Sequence, residues 1–193
     1  MRGVTILYED SAGERVEFSL HDLVVRCVAD RIDGDVRALR SVLHGIPKKG
    51  NGNVWRACRQ DLSRLARGGR AVIAVFDDDR VRTMAGLPSS ACKSQVAARI
   101  KTGCEPASQL RVALLVENTE TLLVALRDLG IVRDRDAMFA DAIDRKILAS
   151  RDILFKDAVW RTTPEQRAAL IEKVPSFGYL VSKLAALLSP DPS

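Results

Sequence analysis

The chain has 193 residues, 47% of them hydrophobic and 28% charged, with a formal net charge of +5. That length suits one domain, or one with a modest appendage, able to bury a core without covalent staples. The composition excludes a disordered or fibrous chain, and no apolar run approaches the roughly 20 residues that span a bilayer. The start, Met1-Arg2-Gly3-Val4-Thr5, lacks an apolar leader segment, so the expected compartment is the cytoplasm. Cys27, Cys58, Cys92 and Cys104 show no CxxC spacing and read as reduced thiols.

In chain order, residues 4–8 predict a short strand, with Glu9 and Asp10 in its exit. Leu20, Leu23, Val24, Cys27, Val28 and Ile32 recur at three-and-four spacing and predict an amphipathic helix over 18–32, capped by Ser19. Residues 36–43 read as a second strand, followed by a loop over 44–53 rich in Gly, Lys and Asn. A helix over 54–67 stops at Gly68-Gly69.

Residues 71–76, Ala-Val-Ile-Ala-Val-Phe, form the clearest strand, and three aspartates, Asp77, Asp78 and Asp79, follow it directly. A helix capped by Ser89 or Ser90 runs to about 101, and a fourth strand over 110–116 ends at Glu117. Alternating strand and helix imply right-handed crossovers, a mostly parallel sheet of four strands or slightly more, and an α/β fold. Beyond residue 130 only helical stretches are expected, which divides the chain into an α/β domain over 1–130 and a helical extension over 131–193 packed on it. In that extension Thr163-Pro164-Glu165-Gln166 is a capping-box helix start.

Three predicted strand ends carry carboxylates: Glu9 with Asp10, then Asp77 to Asp79, then Glu117. Parallel strands present their carboxyl ends at one sheet edge, so these groups are expected to converge there. Like charges repel at close range, and a divalent metal is the usual neutraliser. Hard carboxylate oxygens select Mg²⁺ or Mn²⁺, whose remaining positions suit phosphate oxygens. Alternation along a strand would put Asp77 and Asp79 on one side and turn Asp78 away.

Between Arg31 and Arg70, ten Lys or Arg residues stand against Asp33, Asp35 and Asp61, a basic stretch suited to a polyanion. Lys48 and Lys49 in the Gly-rich loop, with Arg80 and Arg82 beside the acidic turn, are the candidate contacts to a nucleic-acid backbone. His21 and His44 have no Cys or His partner at ligand spacing and read as structural. No GxxxxGK[ST] loop is present, so any ATPase would come from a partner protein.

Glu9 in Ile6-Leu7-Tyr8-Glu9 and the Asp-x-Asp of Val75-Phe76-Asp77-Asp78-Asp79 resemble the TOPRIM fold of topoisomerases, primases and OLD-family nucleases. The Gly-rich loop 44–53, the apolar strand entering Glu117-Asn118-Thr119-Glu120, and Val174-Pro175-Ser176-Phe177 are similar to elements of small TOPRIM-like bacterial proteins. Two departures stand out: Glu9 is followed by Asp10-Ser11-Ala12-Gly13-Glu14 rather than by Gly, and Arg80-Val81-Arg82 replaces the glycine common after the last aspartate. The resemblance implies a TOPRIM-like sheet and a Mg²⁺- or Mn²⁺-dependent nuclease. Glu9, Asp77, Asp79 and Glu117 would be catalytic, the first three of them metal ligands. It further implies nucleic acid as partner, DNA before RNA, an ATPase partner and a role in anti-phage defence.

Two other readings remain. A regulatory or binding subunit partnering an ATPase would use the same carboxylates as structural groups. Asp77-Asp78-Asp79-Arg80-Val81 also fits the aspartate motif of haloacid-dehalogenase phosphatases, in which Asp77 is the nucleophile and Asp79 the acid. The sequence leaves the oligomeric state open.

Overall fold

The computed structural model describes residues 3–9, 19–115, 119–132, 137–145 and 147–189, apart from the side chains of residues 19, 79, 119, 137, 148, 149 and 152. Four strands, β1 (Val4–Tyr8), β2 (Leu43–Pro47), β3 (Ala71–Asp77) and β4 (Leu110–Leu115), form one parallel sheet in the order β2-β1-β3-β4. Eleven helices are described: α1 (Ser19–Ile32), α2 (Val36–Val42), α3 (Asn51–Gln60), α4 (Leu62–Leu65), α5 (Asp78–Met84), α6 (Lys93–Lys101), α7 (Thr119–Asp128), α8 (Ala137–Ile143), α9 (Leu148–Arg161), α10 (Pro164–Lys173) and α11 (Pro175–Leu188). The α/β architecture with an all-parallel four-stranded sheet and a C-terminal run of helices is the one expected.

The central strands β1 and β3 are buried along nearly their whole length, as strands covered on both faces must be. Their side chains alternate between two cores. Val4, Ile6, Tyr8, Ile73 and Val75 pack with α1, α7, α9, α10 and α11, whereas Leu7, Val72, Ala74 and Phe76 pack with α3, α4, α5 and α6. Each fully buried Leu, Ile or Phe contributes about 1.5–3 kcal/mol of transfer free energy, so these two layers dominate cohesion.

The segment expected as a second strand over 36–43 is instead α2. Asp35 starts it, its carboxylate accepting the Ala38 N–H at 2.8 Å, and this cap outweighs the weak apolar alternation. The strand falls one step later, at Leu43–Pro47, within what reads as loop. Gly45 and Pro47 disguise it, but an edge strand tolerates both residues. A Cβ on Gly45 would lie 2.6 Å from the His21 ring, so this position needs glycine for packing.

Two further helix starts differ from expectation. α5 begins directly at Asp78, and α6 begins at Lys93, where the Cys92 N–H donates to the Gln95 side chain at 2.8 Å; Ser89 and Ser90 lie outside it. The capping box before α10 is as expected: the Thr163 N–H donates to Gln166 Oε1 at 3.0 Å and the Gln166 N–H to Thr163 Oγ1 at 3.3 Å. Leu180 and Leu184 of α11 are fully buried in the core that contains α1 and the sheet. Among the described residues, no helix is long and apolar enough to cross a membrane.

Polar contacts tie the C-terminal helices to the rest as well. Arg167 of α10 forks onto Asp30 of α1 through Nε and Nη2, and its Nη1 donates to the Thr162 carbonyl at 2.7 Å. A bidentate guanidinium–carboxylate pair of this kind is geometrically specific. Because Arg167 is buried, deleting its partner leaves a cation without its counter-ion. Asp30→Ala is therefore expected to cost about 3 kcal/mol in chemical denaturation; a change below about 0.5 kcal/mol, typical of a surface site, would show the pair to be incidental.

Candidate functional site

The carboxyl ends of β1 and β3 lie side by side at one rim of the sheet, and Glu9 meets the Asp77 backbone there. Pairing between the two strands ends at Leu7 opposite Ala74, while β3 continues to Asp77 against Leu115 of β4. On the β1 side, therefore, the Asp77 peptide has lost its strand partner. Side chains replace it. The Asp77 N–H donates to Glu9 Oε2 at 3.1 Å and to Asn51 Oδ1 at 3.1 Å, and Asn51 Nδ2 donates to the Asp77 carbonyl at 3.3 Å.

Glu9, one residue past β1, is thus joined to Asp77, 68 positions away. The loop from β2 to α3 closes the site from the other side. The Lys48 N–H donates to the Tyr8 carbonyl at 2.8 Å and the Gly50 N–H to the Glu9 carbonyl at 2.6 Å. Positive φ angles at Lys49 (57°) and Gly50 (110°) make this tight return, and Asn53 Nδ2 steadies it on the Lys49 carbonyl at 2.9 Å. The amino end of α3 is consequently held beside Glu9 and the Asp77 backbone, where its dipole favours negative charge.

Of the predicted site residues, the structure brings together Glu9, Asp77 and the Lys48-Lys49 loop. Lys48 is half-buried and Lys49 exposed. Lys48 lies near enough to Cys58 to draw that thiol down, against the larger effect of burial, which raises it to about 12. The Asp79 side chain and Glu117 lie outside the described residues, as do Asp10 and the segment to Glu14.

The three aspartates do not continue as a strand. Since α5 starts at Asp78, the alternation that would pair Asp77 with Asp79 stops at Asp77. Asp78 is buried, and its Oδ2 accepts Arg82 Nη1 at 2.6 Å. Its other oxygen is buried and has no hydrogen-bond partner among the described residues. Arg82, expected on a phosphate, is occupied within the protein, because Nη1 also reaches the Asp78 carbonyl at 3.3 Å and Nε donates to the Ala91 carbonyl at 3.1 Å. Arg80 is exposed.

Behind the rim, His21 of α1 packs over β1 and β2, against Gly45. A carbonyl can only accept, so His21 Nε2 donates to the Leu43 carbonyl at 3.2 Å, and Nδ1 of the neutral ring accepts the Tyr8 hydroxyl at 3.2 Å. Burial raises the Tyr8 phenol and lowers the His21 imidazole, the Leu43 hydrogen bond opposing the latter shift. His21 is accordingly structural, as its sequence context suggests.

Carboxylate oxygens are the donors that a hard divalent cation takes. Mg²⁺ commonly takes only one or two protein carboxylates and fills its other positions with water and phosphate oxygens. Glu9 and Asp77 supply such a pair; among the described residues no group of three or more His, Cys, Asp or Glu is arranged for an ion. Asn51, which orders the pair, went unnoticed in the sequence because it lies in a run read as loop, although α3 starts there. Compared with protein-family models, curated proteins and solved structures, the chain finds no match.

The His21 shift gives a pH dependence with a defined sign. As pH falls, the unfolded chain takes up its proton first, near the ordinary value of about 6.5, while the folded ring remains neutral. Stability is therefore complete above that value and declines as pH drops from it toward the lowered folded value. Denaturation midpoints of wild-type protein should fall through this window more steeply than those of His21→Asn; equal slopes would contradict the assignment.

Proposed function

We propose that the chain is a divalent-metal-dependent nuclease of the TOPRIM type, which hydrolyses phosphodiesters of nucleic acid, DNA before RNA. One observation carries this reading: the Glu9 carboxylate reaches the Asp77 amide at 3.1 Å across the carboxyl ends of adjacent parallel strands. Ligand and catalytic sites of open α/β sheets occupy that edge.

In this reading Glu9 and Asp77 hold Mg²⁺ or Mn²⁺, and the resemblance adds Asp79 as a further ligand and Glu117 as a catalytic residue. The bound ion supplies an activated water and neutralises phosphate charge. Lys49, in the loop bonded to Glu9, and Arg80, three residues past Asp77, are exposed and meet the phosphate backbone, and Lys48 reinforces the positive loop. Arg82 withdraws the Asp78 charge into an internal pair, so that the rim carries less mutual repulsion. With no phosphate-binding ATPase loop in the chain, nucleotide-driven control would come from a partner ATPase, as in an anti-phage defence pair.

The hydrogen bond from the Asp77 amide to Glu9 also suits a second reading, a regulatory subunit whose carboxylates only complete the sheet edge. A plasmid assay separates the two. Supercoiled DNA should be cut with Mg²⁺ or Mn²⁺, and Asp77→Asn or Glu9→Gln should lower the rate by about a hundredfold or more. Protein that is inert with both ions, alone and with an ATPase encoded beside it, would contradict the nuclease reading and leave the regulatory one.

A further inference from the structure

The carboxylates at the rim do not order themselves. Asn51 is 6% exposed, and both its amide oxygen and its amide nitrogen bond one peptide unit. Oδ1 accepts the Asp77 N–H and Nδ2 donates to the Asp77 carbonyl, at 3.1 and 3.3 Å. In a parallel sheet one residue's N–H and carbonyl address the same neighbouring strand. The β1 strand that should receive both has ended, and the Asn51 side chain takes its place with matched donor and acceptor. Glu9 shares the same N–H, so a single amide proton locks the Glu9 carboxylate, the Asp77 backbone and the first residue of α3 together.

From this geometry we infer that Asn51 is a positioning residue for the Glu9–Asp77 pair, setting the direction in which Asp77 presents its carboxylate. The inference rests on the metal-site reading above and adds to it a residue that touches no ion. Side chains that orient metal ligands in this way typically govern affinity by about 10–100-fold. An Asn→Ala change here deletes two hydrogen bonds and leaves Glu9 as the remaining described partner of the Asp77 peptide on that side.

The test is a titration of full-length protein with Mn²⁺ alone, followed by electron paramagnetic resonance, beside thermal unfolding of each variant. Asn51→Ala should weaken Mn²⁺ binding by about tenfold or more. Val54→Ala, which truncates a fully buried side chain of the same helix, should lower the melting temperature yet leave Mn²⁺ affinity unchanged. Two outcomes overturn the assignment to Asn51 alone: Asp77→Ala abolishes Mn²⁺ binding while Asn51→Ala retains it, or Val54→Ala weakens it as much as Asn51→Ala. Wild-type protein without Mn²⁺ affinity overturns the metal-site reading and this inference with it. Should Asn51→Ala fail to fold, hydrogen exchange of the Asp77 amide in Glu9→Ala decides: retained protection supports the Asn51 bridge, and fast exchange overturns it.

Discussion

The rim of this sheet depends on how one peptide unit, that of Asp77, satisfies its hydrogen bonds after its neighbouring strand has ended. A buried amide left without a partner costs about 1–3 kcal/mol, so the edge of a parallel sheet needs substitutes where strands differ in length. Here the substitutes are Glu9 and Asn51. The first brings a carboxylate from the end of β1; the second brings the start of α3. A requirement of backbone chemistry thereby assembles acidic groups from distant parts of the chain.

The electrostatics of the rim follow from the same arrangement. Glu9 and the Asp77 backbone are hydrogen-bonded neighbours at the rim, and three features moderate the negative charge that the acidic residues bring there. The Asp77 amide proton faces Glu9, the amino end of α3 adds its dipole, and Asp78 is removed into the pair with Arg82. On the proposed reading a hard cation is the chemically matched partner of these carboxylates. On the same reading the exposed Lys49 and Arg80 meet a substrate that brings its own phosphates.

Much of the fold was legible from periodicity and caps. The apolar run 71–76, the three-and-four spacing of α1 and the Thr163-Pro164-Gln166 start each state a local preference that packing reinforces. The stretch 36–47 was misread because its information is spread between levels. The Asp35 cap is local, but the strand at Leu43–Pro47 exists through pairing with β1 and through the room Gly45 leaves for His21. The meeting of Glu9 and Asp77 was legible from strand-end logic. The period-2 argument for the aspartates failed at a helix start that the acidic residues themselves favour at N-terminal positions. Asn51 was illegible, since its role is tertiary: nothing local distinguishes a loop asparagine from one that completes a sheet.

Crystals of the wild-type protein grown with Mn²⁺ would test the central claim most directly, through the anomalous scattering of the ion. The account predicts a peak within ligand distance, roughly 2.0–2.6 Å, of carboxylate oxygens from both Glu9 and Asp77. A peak confined to other residues, or Glu9 and Asp77 turned apart with no ion between them, would contradict it.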